Sequence, residues 1–245
     1  TSLGELHPSE LNYIFMESGT VTFSDHSFTT DNDPSAKNST SSLNHLVTLL
    51  EKNGFTWKSY QEGISGTDCP ITTNNLYAPK HNPSLFFQDV SGNPPSSDNT
   101  YCRDDIRPFS ELKDDISSGN LPNYVFITPN LNNDMHSGTV AQADTWLSQT
   151  VPLITSSSVY KKDGAVFITW DEGSENKETQ DAVNNNAIGM IILSPFVKKG
   201  YTNSTEYSHA SLLKTVEELF HLTPLLGLAN DNETKDLFDF FNTNK

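Results

Sequence analysis

The stretch Asn123-Tyr-Val-Phe-Ile-Thr-Pro-Asn-Leu-Asn-Asn-Asp-Met-His136 joins an apolar segment of strand length to a polar loop that ends in an aspartate and a histidine. A second segment, Ala165-Val-Phe-Ile-Thr-Trp-Asp-Glu-Gly173, repeats the pattern and ends in two adjacent carboxylates. In an open α/β sheet the ligand site lies at the carboxyl ends of the strands. The two segments therefore predict a sheet whose edge carries acidic and imidazole groups for one common ligand.

Segments with helical and strand-like periodicity alternate along the chain. The predicted strands cover 55–60, 124–128, 165–170 and 188–193, and the predicted helices cover 9–19, 43–52, 109–116, 140–149 and 209–220. In the first helix Ser9 would be the N-cap and Gly19 the stop. The polar residues 20–42 predict a long exposed loop. Strands that alternate with helices predict an α/β fold, with a mainly parallel central sheet sandwiched by helices.

Residues 61–108 are rich in turn formers and contain the two cysteines of the chain, Cys69 and Cys102. Their spacing fits neither a zinc ribbon nor a Cys-x-x-Cys redox motif. We interpret the pair as one disulfide within an insertion, with two free thiols as the alternative. No segment is convincing as a linker, so we predict a single domain over 1–245.

The charge balance limits the classes of partner. The chain has 31 acidic and 15 basic residues, a formal net charge of −16, which disfavours a nucleic acid or an anionic membrane as the main partner. It has no apolar run of membrane-spanning length, so we expect no integral membrane contact. Three glycosylation sequons begin at Asn38, Asn203 and Asn232. Together with the cysteines they predict a protein secreted to the extracellular space or cell wall; the oligomeric state stays open.

Two pairs of neighbouring residues are candidate metal ligands. Asp134 and His136 lie in one short loop, and a carboxylate with an imidazole suits zinc and similar divalent ions. The alternative is a solvated Asx-type turn. Asp171 and Glu172 follow an apolar strand, where adjacent carboxylates must face solvent or share a cation. Their alternative is an acidic pair at the start of a helix.

Three further residues complete the candidates. His209, at the start of the last helix, would be a third metal ligand or else a surface histidine. Ser9 begins the first helix, where backbone amides and the helix dipole favour bound phosphate. Its hydroxyl would be a nucleophile activated by a metal ion, or only a cap. His81 in Lys80-His-Asn-Pro83 would contact substrate, with an exposed loop histidine as the alternative.

The order of these motifs resembles that of the phosphoesterase family that holds acid phosphatases and phosphatidylcholine-type phospholipases C and is related to the alkaline phosphatase superfamily. No single motif is specific, but together they span nearly the whole chain. The resemblance rests on His7-Pro-Ser-Glu-Leu-Asn-Tyr13, Lys80-His-Asn-Pro83, residues 121–136, Phe167-Ile-Thr-Trp-Asp-Glu-Gly173 and Tyr207-Ser-His-Ala-Ser-Leu-Leu-Lys-Thr-Val-Glu-Glu-Leu-Phe220.

The resemblance implies a role for each matching residue within an alkaline-phosphatase-like three-layer architecture. Ser9 would form a covalent phosphoryl intermediate, and Asn12 would hold the phosphoryl oxygens. Lys80 and His81 would lie on the substrate side, where His81 would act as a catalytic residue that contacts phosphate or protonates the leaving group. One divalent metal, most simply zinc, would be bound by Asp134, His136 and His209, and a second by Asp171 and Glu172.

The chain departs from the family pattern at three places. Leu11 replaces a usual proline, and Ser137 replaces a common aspartate. Relatives begin with a buried strand that ends in an acidic metal ligand, whereas this chain starts six residues before His7. We therefore expect that strand and ligand to be absent from this sequence, either because it is a fragment or because the second metal position is incomplete.

These observations predict a secreted phosphoric-ester hydrolase, an acid phosphatase that hydrolyses phosphomonoesters through a phosphoserine at a divalent-metal site. The expected partner is a small phosphorylated substrate. The first alternative is a phosphodiesterase of the phospholipase C type. The second is a catalytically inactive family member that serves as a binding or cell-wall protein.

Overall fold

The computed structural model of the protein describes residues 2–3, 6–173 and 187–242. It comprises two compact units. The first unit consists of Thr1–Thr22, Phe28–Asp31 and Val159–Lys245, and the second of Phe23–Ser27 and Asn32–Ser158. The assignment of 1–245 to a single domain stays a prediction.

The regular elements follow the predicted alternation. The strands of the described residues are β1 (Ser2–Leu3), β2 (Trp57–Gln61), β3 (Ile106–Pro108), β4 (Tyr124–Thr128), β5 (Val166–Thr169), β6 (Ala187–Ile188), β7 (Met190–Leu193) and β8 (Tyr207–Ser208). The α-helices of the same residues are α1 (Ser9–Ser18), α2 (Leu46–Lys52), α3 (Gln88–Ser91), α4 (Thr100–Asp105), α5 (Leu112–Ser118), α6 (Val140–Thr155), α7 (Ser158–Asp163) and α8 (His209–Leu219). Short 3₁₀ turns lie at Pro79–His81, Pro83–Phe86, Phe109–Glu111, Gly227–Asn230 and Phe238–Phe240.

A parallel sheet of three strands organises the second unit. Its strand order is β3-β2-β4, with both pairs parallel. The register runs from Trp57 opposite Tyr124 to Gln61 opposite Thr128. Parallel strands need crossover connections: α3 and α4 lie between β2 and β3, and α5 lies between β3 and β4. The predicted α/β class with a parallel sheet flanked by helices is confirmed.

The core of the second unit includes a disulfide. Cys69 and Cys102 are bonded, with their Cα atoms 5.4 Å apart, so the free-thiol alternative is wrong. Both cysteines are fully buried. They belong to a hydrophobic cluster with Val47, Trp57, Leu85, Val90 and Ile106. The turn-rich segment 61–108 is therefore tied into this core.

The first unit contains two small sheets and a pair of packed helices. One sheet has the order β6-β1-β8, in which β1 pairs antiparallel with β6 and parallel with β8. The other is the antiparallel pair of β5 and β7. Helix α1 packs against α8. Ile14 on α1 and Leu213 on α8 are almost completely buried, which gives each helix its apolar face.

The prediction of an exposed loop over residues 20–42 is wrong at its buried residues, which are Phe28, Pro34, Asn38, Ser39 and Thr40. Phe28 is 2% exposed, and Thr40 is fully buried. Within the second unit the carboxylate of Asp25 accepts hydrogen bonds from the Thr40 hydroxyl at 2.6 Å and from the Ser41 N–H at 2.7 Å. Side chains of Asp, Ser and Thr satisfy the backbone here in place of a regular ladder, which local periodicity cannot reveal.

The helices of the described residues include none with both the length and the apolar character needed to cross a membrane.

Candidate active site

Ser9 begins α1 but does not cap it. The N-cap position is occupied by Pro8, and no side-chain cap hydrogen bond is made there, so the prediction of Ser9 as the N-cap is wrong. The N–H of Glu10 donates to Oδ1 of Asp31 at 3.2 Å, and the N–H of Leu11 donates to the Pro8 carbonyl at 3.2 Å. Asp31 thus satisfies a donor of the first turn from elsewhere in the first unit. The Ser9 hydroxyl is left for another partner.

Glu172 gathers the polar side chains around that hydroxyl. Ser9 Oγ donates to Oε1 of Glu172 at 3.4 Å, and Asn12 Nδ2 donates to Oε2 at 3.3 Å. Nδ1 of His7 lies 3.1 Å from the same Oε2. Ser9 and Asn12 lie on α1, His7 lies just before it, and Glu172 lies in the loop after β5. The structure therefore brings the predicted nucleophile and one predicted metal ligand together.

Asn12 fixes the chain where it enters α1. Its side chain accepts from the Leu6 N–H at 3.1 Å and donates to the Leu6 carbonyl at 2.6 Å. It is fully buried. These contacts orient the segment before Ser9. The predicted contact of Asn12 with phosphoryl oxygens stays a prediction.

His209 lies beside the acidic pair. Its Nε2 is 2.5 Å from the backbone carbonyl of Asp171, a contact in which the ring nitrogen must donate. The side chain is buried, with 1% exposure, so the surface-histidine alternative is wrong. In this tautomer a neutral imidazole offers its lone pair through Nδ1.

The electrostatics around Ser9 are dominated by carboxylates. Burial raises the pKa of Glu172, and the negative charge of Asp171 raises it further, while His7 and the Ser9 hydroxyl act in the opposite direction. Asp31 adds a smaller negative contribution that also raises this pKa. A bound cation would relieve this repulsion, because it favours the charged form of both carboxylates.

The donor set of the first unit fits a hard divalent cation. Carboxylate oxygens of Asp171 and Glu172 are ligands that such ions accept, and the Ser9 hydroxyl adjoins them. Among the described residues no three His, Cys, Asp or Glu side chains form a ready-made metal cluster. Which metal binds and how many stay predictions.

The second unit holds the other predicted cluster. Oδ1 of Asp134 accepts from the His136 N–H at 2.8 Å, which closes an Asx-type turn over Met135 at φ +76°. Nδ1 of His81 lies 3.4 Å from Oδ2 of Asp134, and the rings of His81 and His136 are 5.9 Å apart. His81 is 4% exposed, so the exposed-loop alternative is wrong. Lys80 is half-buried in the same 3₁₀ turn.

The metal-binding roles of Asp134, His136 and His209 and the substrate roles of Lys80 and His81 stay predictions. Within the first unit the structure gathers Ser9, Asn12, Asp171, Glu172 and His209. Within the second it gathers His81, Asp134 and His136.

The three predicted glycosylation sites differ in exposure. Asn232 is exposed. Asn203 is half-buried, and its Nδ2 donates to the Tyr207 hydroxyl at 2.8 Å and to Asp239 at 2.9 Å. Asn38 is 6% exposed, and its Nδ2 donates to the Asn32 carbonyl at 3.2 Å. Glycosylation of each stays a prediction.

Sequence reasoning assigned no role to His7, Asp31 or Glu62. The position of His7 two residues before Ser9 is a local signal that it lies near the site. Asp31 lies in a polar segment with no periodicity, and its contact with α1 has no sequence signal. Glu62 directly follows β2, and the end of a parallel strand is the one indication that it borders a site.

This geometry can be compared with known proteins. The model of the phosphoesterase family matches residues 3–223. The chain belongs to the phosphoesterase family. A phosphate-repressible acid phosphatase of Penicillium chrysogenum is 29% identical over 226 residues, which cover 90% of this chain and 51% of that protein. A probable acid phosphatase of Kluyveromyces lactis is 31% identical over 228 residues, 90% of this chain and 50% of its own.

A relative from outside the fungi extends the match. A phosphatidylinositol-3-phosphatase of Mycobacterium tuberculosis is 27% identical over 230 residues, which cover 94% of this phosphoesterase and 68% of that protein. The chain spans about half the length of the two fungal relatives.

Proposed function

We propose that this phosphoesterase hydrolyses phosphoric monoesters, with Ser9 as the nucleophile of a covalent phosphoserine mechanism. The observation that supports it most is the contact of Ser9 Oγ with Glu172 at 3.4 Å, made by a hydroxyl that its own helix does not use. A nucleophilic serine needs a neighbouring group to activate it. The acid phosphatase relatives support the same reaction class.

The residues around Ser9 carry out the first step. Ser9 Oγ attacks phosphorus, the Oγ–P bond forms, the ester P–O bond breaks, and the leaving oxygen takes a proton from solvent and departs as the alcohol. Glu172 orients Oγ and receives its proton. Backbone N–H groups at the start of α1 favour the negative charge on the phosphoryl oxygens. In the second step water attacks phosphorus, the Oγ–P bond breaks, Glu172 returns its proton to Oγ, and inorganic phosphate leaves with the protons of the water.

Repulsion between negative charges opposes the binding of a phosphate ester at this site. A phosphate ester would enter a site that already holds Asp171 and Glu172. A divalent cation held by these two carboxylates would supply positive charge, lower the pKa of the serine hydroxyl and stabilise the developing charge. His7, whose Nδ1 lies 3.1 Å from Glu172, adds positive charge when protonated.

We also propose that the protein is secreted. The disulfide between Cys69 and Cys102 is typical of an oxidising compartment. The exposed sequon at Asn232 is accessible to the glycosylation machinery of such a compartment.

The function is tested with two substrates and one trapping measurement. We expect the protein to hydrolyse an aryl phosphate monoester faster than a phosphocholine diester. Rapid acid quenching followed by peptide mass spectrometry should find a phosphate on the peptide that contains Ser9. Faster hydrolysis of the diester would favour the phospholipase C type, and no hydrolysis of either compound with divalent metal present would favour the inactive binding protein.

A further inference from the structure

Two paired strand ends lie beneath the candidate residues of the second unit. β2 ends at Gln61, β4 ends at Thr128, and the parallel register places these residues opposite each other. Glu62 follows directly, and its N–H donates to the Thr128 carbonyl at 3.1 Å. Gln61 is 1% exposed and Thr128 is 4% exposed. These two strand ends are therefore buried, side chains included.

The carboxylate of Glu62 binds the start of the Asp134 loop at two places. It accepts from the Asn130 N–H at 2.9 Å. It also accepts from Nδ2 of Asn133 through both oxygens, at 3.0 and 2.9 Å. Hydrogen bonds to an ionised acceptor are about twice as strong as neutral ones. Glu62 thus fixes both the backbone and a side chain of this loop.

The loop transmits this constraint to the candidate residues. The N–H groups of Asn133 and Asp134 both donate to the Asn130 carbonyl, at 2.8 and 2.9 Å. Asp134 in turn accepts from the His136 N–H at 2.8 Å. A continuous set of hydrogen bonds therefore runs from Glu62 to His136.

Thr128, at the end of β4, binds the 3₁₀ turn Pro79–His81. Nε2 of Gln61 donates to Thr128 Oγ1 at 2.9 Å, which leaves the threonine hydroxyl to donate to the His81 carbonyl at 3.0 Å. Nδ1 of His81 then lies 3.4 Å from Asp134. The side chains held by Glu62 and by Thr128 meet at this contact.

We propose that Glu62 and Thr128 are positioning residues: Glu62 sets the Asp134 and His136 loop, and Thr128 sets His81. Neither is a catalytic residue, because each acts through groups that it holds. The consequence for catalysis rests on the proposed phosphatase function, whereas the positioning itself does not require turnover.

The test of Glu62 is amide hydrogen exchange on the intact protein without substrate. Glu62→Gln places an NH₂ group against the NH₂ group of Asn133, and two donors cannot pair. We expect exchange at Asn133, Asp134 and His136 to rise about tenfold or more. In the double variant Glu62→Gln with Asn133→Asp, the new amide donates to the new carboxylate. Exchange should return to within about threefold of the wild-type rate.

Thr128→Val tests the positioning of His81 by Thr128, since valine keeps the shape of threonine and removes the hydroxyl. We expect faster exchange at the amides of His81 and Asn82, which close the 3₁₀ turn, and little change at Asp134 and His136. The matched control is Glu111→Gln. Glu111 also accepts two close hydrogen bonds in this unit, both from Arg107, at 2.8 and 2.7 Å, but none from the loop.

The outcomes separate this inference from the proposed function. The role of Glu62 would be overturned if the loop of Glu62→Gln exchanged at the wild-type rate, or if exchange rose equally across the whole second unit. It would also be overturned if the loop exchanged as fast in the double variant as in Glu62→Gln alone. Unchanged exchange at His81 in Thr128→Val would overturn that of Thr128. With an aryl phosphate, kcat/KM should fall about tenfold in Glu62→Gln and recover in the double variant. If the wild type hydrolyses nothing, the proposed function fails and the exchange rates still decide the positioning.

Discussion

Ser9 Oγ donates to Oε1 of Glu172 across 3.4 Å, although the two residues lie 163 positions apart in the chain. Asp31 binds the first turn of α1. A serine that capped its own helix would be needed for stability, whereas this hydroxyl is directed at a carboxylate. Stability and activity can therefore be separated at this position.

Ser9→Ala should abolish hydrolysis of an aryl phosphate, with a loss of about 10³-fold or more in kcat, because the phosphoryl acceptor is removed. The free energy of unfolding should change by less than about 0.5 kcal/mol, since no cap is lost. Steady-state kinetics and urea denaturation measure the two quantities.

The matched control is Ser18→Ala in the same helix, where the hydroxyl donates to the Ile14 carbonyl at 2.8 Å. Its loss should lower stability by about 1 kcal/mol and leave kcat intact. If Ser9→Ala instead lowered the free energy of unfolding and left kcat unchanged, Ser9 would be a structural residue.

Glu172→Gln should weaken divalent metal binding by about tenfold or more, because a neutral amide replaces one of the two adjacent carboxylates. Metal content after dialysis, measured by inductively coupled plasma mass spectrometry, reports the change. A chelator should remove the activity of the wild type, and added metal should restore it. Glu206→Gln is the control, since Glu206 is an exposed carboxylate of the same unit. Equal metal content in both variants would argue against a site at Glu172.

Stability should fall as the pH rises because of Glu217. This side chain is fully buried, and its pKa is raised from 4.5 to about 8, mainly by burial; the Leu226 N–H and Lys214 act to lower the pKa, and the charge of Glu218 acts to raise it. The folded state therefore holds the proton to a higher pH than the unfolded chain. The stabilisation is complete below the unfolded pKa of 4.5 and is lost as the pH rises through the folded value of about 8.

Glu217→Gln keeps an acceptor for the Leu226 N–H, which lies 2.9 Å from the carboxylate, and removes the titration. We expect its free energy of unfolding to vary less between pH 5 and pH 8, by on the order of 2 kcal/mol. Urea denaturation at both pH values measures this difference. The neighbouring Glu218→Gln, at a less buried position, should change the slope less. Parallel profiles for Glu217→Gln and the wild type would contradict the assignment.

Reduction should destabilise the second unit. Cys69 and Cys102 enclose a sequence separation of 33 residues, and a loop of that size corresponds to roughly 3–4 kcal/mol of chain entropy in the unfolded state. The double variant Cys69→Ala with Cys102→Ala should lower the free energy of unfolding by a similar amount. Thermal unfolding of the wild type with and without a reductant measures the loss of stability. The double variant is the control, since the reductant should not change its unfolding temperature.

Glycan occupancy should follow exposure at the three sequons. We expect high occupancy at Asn232 and low occupancy at Asn38 and Asn203, whose amide nitrogens donate within the folded chain. Deglycosylation by peptide-N-glycosidase in heavy-isotope water, followed by peptide mass spectrometry, gives the occupancy of each. Asn232→Gln should remove most of the glycan mass. Full occupancy at Asn38 would show that the glycan is added before this segment folds.

Local patterns located the longer strands and missed β1, β3 and β8. The strand over Tyr124–Thr128 has the predicted bounds, since an apolar run of five residues between turn-forming residues has the length of a strand. The Asp134 and His136 loop follows from the end of that strand. The disulfide followed from two cysteines in one turn-rich segment.

Contacts between distant residues could not be predicted in the same way. The His81 carbonyl accepts a hydrogen bond from Thr128, which lies 47 positions away, and the first turn of α1 donates one to Asp31. Leu219 is an apolar residue of α8, yet it is 42% exposed because the buried face of the helix is centred on Leu213 and Val216. Periodicity gives the face of a helix but not its partner.

The contact of Asp31 with Glu10 has an evolutionary consequence. Because another segment secures the first turn of α1, the residue at position 9 is free to change without loss of the helix. Under the proposed mechanism, a lineage that replaced Ser9 would therefore lose the nucleophile and keep the fold. The residue at position 9 would then indicate activity better than overall similarity does.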